Sequence, residues 1–194
     1  MTATEAQQAT DLRLAVGSHQ WNYVNTHAYH WHWEGDNTGV EEDAHTFLGI
    51  AHLLGFPEPK IDVLRRDAVS SGFELKLKIS SLLNRAYLEP GDSVILLHYA
   101  RRGEVNDINE LDFISPWGEK IAAEGIMIDI GSPYVIPLDA RVDVVIMMDC
   151  CYPSMLTNAQ LGYRRVDILA AGDGKDPVAF GSDQTLSFTS KIHR

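Results

Sequence analysis

An acid and two thiols stand together at the end of an apolar run: residues 142–154 read VDVVIMMDCCYPS, with Asp149, Cys150 and Cys151 in succession. A thiol attacks only as its thiolate, so chemistry at such a place needs a base or a neighbouring cation. A second apolar run, SVILLHYA over 93–100, ends in Arg101-Arg102-Gly103. The aromatic stretch WNYVNTHAYHWHW over 21–33 contributes His27, His30 and His32. His30 and His32 share one strand face, a spacing that metal ligands sometimes use. No cysteine or carboxylate at ligand spacing accompanies them, so they read as packed or exposed histidines rather than a metal site. Residue statistics favour a plain alternative for the cysteines: free cysteine is among the most buried residue types, and these two would then close a core strand without reacting.

The elements that must carry these residues follow from the hydrophobic pattern. Val142 and the run 144–148 lack polar–apolar alternation, which predicts a strand buried on both faces, and 93–100 reads the same way. In open α/β sheets ligands bind beyond the carboxyl ends of the strands, so both runs deliver polar groups to such an edge. The 21–33 stretch alternates, with Tyr29, Trp31 and Trp33 opposite His30 and His32, and predicts an early strand. Glu41, Glu42 and Asp43 fit the first turn of a helix, where carboxylates complement the dipole; Ala44, Phe47, Ala51 and Leu54 form its core face, and Gly55-Phe56-Pro57 ends it. A short extended piece over 61–64 follows. Ser71 and Glu74 form a capping box opening a second helix with Leu75, Ile79, Leu82, Leu83 and Ala86 on one side. Residues 104–125, carrying Asp107, Glu110, Asp112 and Glu119, read as loop, and 126–130 and 134–138 as two short apolar pieces. VDILAA over 166–171 is a further strand. Residues 172–181 are loop, in which Gly172-Asp173-Gly174 lacks the rest of a phosphate-binding pattern, and Ser187-Phe188-Thr189 opens a final helix. Strands alternating with helices predict an α/β fold: a mostly parallel central sheet with helices on both faces.

Composition bounds the function. A chain of 194 residues can bury a core without disulfide or metal support. Its 45% hydrophobic and 22% charged content is that of a globular protein, and no apolar run approaches a membrane span. The opening MTATEAQQATDLRLAVGS has no basic flank or apolar core of a secretory signal, and two adjacent cysteines make a poor disulfide framework, so we expect a reducing, cytoplasmic setting. A net charge of -11 argues against non-specific nucleic-acid binding and suits a basic ligand.

Taken together, the strand-end motifs HYARRG over 98–103 and DCCYPS over 149–154 resemble those of the caspase-like cysteine peptidases, in particular the metacaspase and fungal caspase-domain branch. In that family one strand ends in a motif like HYSGHG, whose second histidine is the general base. The next ends in a motif like DSCHSG or DCCHSG, whose last cysteine is the nucleophile. Order and a separation of about fifty residues match. The similarity extends over 29–189 and includes Asp43 at the first helix, Gly55-Phe56, Ile114-Ser115-Pro116, and the Leu-Ala-Ala and Ser-Phe-Thr segments near the end. The resemblance implies a caspase-like three-layer sandwich over 21–194, preceded by a lead-in over 1–20 and with its last helix missing or truncated. It places Cys151 at the nucleophile position, Gly103 and the Cys151 amide at the oxyanion turn, and Asp149 and Asp43 in a pocket for an Arg or Lys side chain. From the residues alone, Asp43 reads equally as a helix-dipole carboxylate and Asp149 as a hydrogen-bonded strand-end acid.

One departure governs the expected activity. Arg102 stands where the family has its histidine, and a guanidinium stays protonated at any working pH, so it cannot take a proton from a thiol. His98 lies four residues earlier, at a non-catalytic position of the family pattern. Tyr152 and Pro153 replace His-Ser, and Pro153 has no N–H to offer. The expectation is a degenerate peptidase acting by binding or regulation, on family analogy in a cell-death or immune-type pathway, with a basic peptide or protein as partner and no nucleic acid or membrane. A guanidinium beside Cys151 would lower its pKa and leave it reactive toward alkylating agents; Arg102 could also close the pocket by pairing with Asp149. Two alternatives stand beside this: a working cysteine endopeptidase cutting after Arg or Lys, its base brought by another histidine or a partner chain, and a scaffold domain of a dimer or longer multidomain chain. Some metacaspases depend on calcium, but Asp107, Asp112 and Glu119 have no calcium-ligand spacing, so no cofactor is expected.

Overall fold

The computed structural model describes residues 23–37, 39–68, 70–152 and 166–170. The expected lead-in over 1–20, the 172–181 loop and the closing helix at Ser187-Phe188-Thr189 lie outside them. In chain order the elements are β1 (Asn25–Trp33), α1 (Val40–Leu53), β2 (Lys60–Leu64), α2 (Ser71–Leu88), β3 (Ser93–Arg101), β4 (Gly103–Val105), β5 (Leu111–Ile114), β6 (Lys120–Ala122), α3 (Ala123–Gly131), β7 (Val142–Cys150) and β8 (Val166–Ala170).

The five-stranded sheet, ordered β2-β1-β3-β7-β8, is parallel at every pairing. Parallel strands need crossovers, which place helices on the faces and bury the central strands twice. On one face Phe47, Ile50 and Ala51 of α1 pack on Ala28, Val94, Leu96 and Met147. On the other, Leu75, Ile79 and Leu83 of α2 and Ile126, Met127 and Ile130 of α3 cover Trp31, Ile95, Leu97, Tyr99, Val144 and Ile146. The strand residues alternate between these sets, as the two-residue period requires. Each fully buried large side chain of this kind contributes about 1.5–3 kcal/mol.

Three sequence expectations change. Residues 104–125 hold a three-stranded antiparallel sheet, β4-β5-β6, rather than a loop. Its strands are too short to show alternation, and the turns carry the information: the Asn106 side chain accepts from the amides of Ile108 (3.1 Å) and Glu110 (2.9 Å), and Asn109 turns with φ of 65°. The apolar piece at 126–130 belongs to α3, because Ala123, Ile126, Met127 and Ile130 repeat at helical rather than strand spacing. The capping residue of α2 is Ser70, whose hydroxyl accepts from the Phe73 amide at 3.4 Å, not Ser71. Ser71 is instead buried and donates its hydroxyl to Glu119 at 3.1 Å, tying α2 to the β5–β6 turn. Smaller differences are that β1 begins at Asn25 and that Leu54, past the end of α1, is 45% exposed rather than core. Among the described residues no helix is long and apolar enough to cross a membrane.

Candidate functional site

Parallel register brings the two motifs to one edge. On β3 and β7, Ala100 lies beside Asp149 and Arg101 beside Cys150, so Arg102 and Cys151 leave their strands at the same level. Gly103 then packs against the turn: a Cβ there would lie 2.6 Å from the Cys151 carbonyl oxygen, 3.0 Å from Leu111 Cδ1 and 3.5 Å from Cys150 Cβ. The obstacle is backbone, which cannot swing aside, so lack of space and not φ requires glycine here. Gly103→Ala is therefore expected to lower the urea midpoint, by on the order of 1–3 kcal/mol of stability. An unchanged midpoint would show that the turn is looser than described.

The two thiols differ in setting. Cys150 is fully buried beneath the edge, and burial pushes its thiol well up, with Cys151 and Asp149 adding to the effect. Cys151 is partly buried; burial pushes its thiol up as well, and the backbone amides of Gly103 and of Cys151 itself pull the other way. Those are the two donors expected at the oxyanion turn. The expectation that Arg102 lowers this thiol is overturned, because the guanidinium is engaged elsewhere. Arg102 Nε lies 3.5 Å from Asp36 Oδ2, a carboxylate only 1% exposed, and this pair replaces the expected one with Asp149. The Arg102 backbone is fixed too: its carbonyl accepts from the Tyr99 hydroxyl at 2.6 Å and the Ile114 amide at 3.2 Å. The alkylation pattern follows. In native protein, iodoacetamide is expected to label Cys151 slowly at pH 7–8 and faster as pH rises toward 9 and above, and to reach Cys150 only after unfolding. Rapid labelling of Cys151 at neutral pH, read by mass spectrometry, would mean a stabilised thiolate.

Asp149 and Asp43 occupy one side of the sheet. Asp149 follows Met147 by two residues on β7, and Asp43 precedes Phe47 by one turn on α1; Met147 and Phe47 pack together on that face. Both acids are buried. The same side carries His98, His30 and His32, all buried. His98 Nδ1 lies 2.8 Å from His30 Nδ1, and His30 Nε2 lies 2.9 Å from His32 Nδ1. Phe47 stacks on His98, with ring centroids 4.9 Å apart. Burial and the neighbouring rings hold His30 well below the ordinary imidazole value. His27 belongs to another place, near the amino end of β1, where its Nε2 lies 2.7 Å from Glu89 Oε2. Among the described residues no group of three or more His, Cys, Asp or Glu is arranged to hold a metal ion. Of the acids weighed for calcium, Glu119 accepts from Ser71 and from the Trp117 indole, and Asp112 from the Asn106 amide.

Asp36 is the site residue that sequence reasoning missed. Within EGDNTG it carries ordinary turn chemistry, and only the tertiary placement of Arg102 turns it into a buried counter-charge. Pro153 and Ser154, the rest of the second motif, lie outside the described residues. No protein-family model matches this chain, and no curated protein matches it.

Proposed function

We propose that this chain is a caspase-like domain whose peptidase edge has lost its base and serves as a binding site for a basic side chain of a peptide or protein. The observation that carries the reading is the β3–β7 register, which sets Arg102 and Cys151 at one level with a glycine fitted against the Cys151 backbone. Family order, motif spacing and edge geometry support this reading. On this reading the thiol holds the nucleophile position, and the Gly103 and Cys151 amides act against the upward push of burial on its pKa. Arg102, ion-paired with Asp36 at 3.5 Å, holds the position that the resemblance gives to the base. General acid–base help is worth about a hundred- to ten-thousandfold, so its loss reduces turnover to a trace while leaving recognition in place.

Recognition falls to Asp149 and Asp43, two buried carboxylates on one side of the sheet in a chain of net charge -11. A ligand arginine would be held by charge-assisted, bidentate bonds. Regulation in a cell-death or immune-type pathway is what the resemblance adds; a cytoplasmic setting is the expectation from the opening residues and the two adjacent cysteines. The reading as an active endopeptidase needs an imidazole at Cys151, whereas His30, His32 and His98 are spent on one another. Isothermal titration tests the binding role: a peptide ending in arginine should release heat that is lost in Asp149→Asn, and a glutamate-ended peptide should not. Absence of heat with the arginyl peptide would refute an open basic-ligand site.

A further inference from the structure

β2 is an outer strand of the five-stranded sheet, paired on one side with β1, and one hydrogen bond fixes which of its backbone groups are in use. The Glu34 amide donates to the Leu64 carbonyl at 2.9 Å. In a strand the N–H and C=O of one residue point the same way, and those of the next residue point the opposite way. With Trp33 beside Leu64 in the parallel register, Lys60, Asp62 and Leu64 turn to β1, and the amides and carbonyls of Ile61 and Val63 turn outward. Among the described residues no hydrogen bond reaches these outward groups. Natural sheet edges are blunted by proline, lysine or a covering loop. Pro59 closes the preceding outward position, since it has no N–H, and the Arg65 carbonyl past the strand accepts from the Ala68 amide at 3.3 Å. Between these two ends Ile61 and Val63 stay open, 40% and 39% exposed.

A groove of about 640 Å3 runs along this edge, and its two sides differ. Ile61 and Val63 lie beside His30 and His32 in the register and project to the α1 side of the sheet. Asp62 lies beside Trp31 and projects to the α2 side, where Glu74 and Lys78 also line the groove. Lys78 is spent on Asp62, which accepts from the Tyr29 hydroxyl at 2.7 Å as well. Of the charges left in the lining, Asp67 and Glu74 outnumber Arg65, so this side favours a cation. The α1 side offers two β-branched apolar chains. An extended segment with alternating basic and apolar residues meets both sides at once, because successive side chains of a strand point to opposite faces. A second copy of this chain fits less well: it would bring the same hollow, and two hollows facing each other leave the space between them unfilled.

We propose that the open edge of β2 docks an extended, alternating basic and apolar segment of a partner protein, added to the sheet as a further strand through the amides and carbonyls of Ile61 and Val63. The segment's basic side chains lie toward Glu74 and its apolar ones beside Ile61 and Val63. Docking here does not depend on what the β3–β7 edge binds.

The test uses the peptide acetyl-Lys-Val-Lys-Val-Lys-amide and amide hydrogen exchange read by NMR. In the free protein the Ile61 and Val63 amides should exchange readily, while β1 protects those of Asp62 and Leu64; saturating peptide should slow Ile61 and Val63 by at least about tenfold. Val63→Pro removes an outward donor and keeps the bonds to β1, so it should weaken binding about tenfold, read by fluorescence anisotropy of the labelled peptide. Glu74 is exposed on α2, so Glu74→Gln should fold whether or not the proline variant does, and should weaken binding severalfold at low salt. The same peptide with glutamate in place of lysine should not bind. Exchange at Ile61 and Val63 that the peptide leaves unchanged overturns the proposal. Binding that survives Val63→Pro and disappears in Asp149→Asn overturns it too, by placing the peptide at the β3–β7 edge. So does a dimer of the protein alone, seen by sedimentation, that Val63→Pro dissolves, since the edge would then belong to a second copy.

Discussion

Arg102→His is expected to hydrolyse fluorogenic peptides ending in arginine or lysine at least about a hundredfold faster than the wild type, in a manner abolished by Cys151→Ala. The register of β3 and β7 sets position 102 level with Cys151, so an imidazole there would start from the strand end next to the thiol. The amides of Gly103 and Cys151 already act against the upward push of burial on the thiol. What the substitution supplies is a group that exchanges protons near neutral pH, which a guanidinium never does. It also frees Asp36, and that buried carboxylate could orient the new ring as second members of catalytic pairs commonly do. Lysine at 102 provides the control: Arg102→Lys keeps the charge, offers no neutral base at pH 7, and should stay silent. If Arg102→His folds and is equally silent, the loss of function lies deeper than one residue, in the Tyr152-Pro153 replacement.

Acidification from pH 6.5 to 5 is expected to destabilise the fold through His30, with a slope that begins at about 0.7 kcal/mol per pH unit at 6.5 and approaches its ceiling of about 1.4 as the unfolded-state ring becomes protonated. The sign follows from the burial of that ring. His30 is fully buried, and burial with its two neighbouring imidazoles holds it neutral in the native state. In the unfolded chain it titrates near 6.5, so below that pH the unfolded state binds the extra proton and is favoured. The stability is fully present above 6.5 and lost progressively as pH falls toward the native midpoint. Carboxylates titrate lower, so the window from 6.5 to 5 isolates the imidazoles. Urea midpoints measured at half-unit steps should show the slope in the wild type and a shallower one in His30→Gln. A flat profile across the window would mean that the buried chain is already protonated in the native state.

How far the sequence foretold this structure differs from element to element. The unbroken apolar runs at 93–100 and 144–148 announced central strands because a strand covered on both faces has no reason to alternate. The acidic first turn of α1 and the apolar spacing of α2 were equally visible. The small sheet over 103–122 was hidden, since strands of three or four residues leave no period to read and their turns are set by Asn106, Asn109 and Gly118. At the candidate site, the partners along each strand were legible and the partners across strands were not. Alternation put His30 and His32 on one face, but only the β1–β3 register, which sets His30 beside His98, makes them a chain. Gly103 could be singled out by motif, whereas the reason it is glycine is the Cys151 carbonyl across the edge. Asp36 and Arg102 carry no mutual signal in sequence, because their pairing depends on how the β1–α1 turn folds over the end of β3.

On the proposed function, this edge retains a thiol at the nucleophile position without a group to deprotonate it. The most direct measurement is turnover of fluorogenic peptides ending in Arg, Lys or Asp by the wild type, with and without calcium, against Cys151→Ala under the same conditions. The two proteins are expected to be indistinguishable on every substrate. Turnover by the wild type that disappears in Cys151→Ala would contradict it, and would require a base other than residue 102 to reach the sulfur.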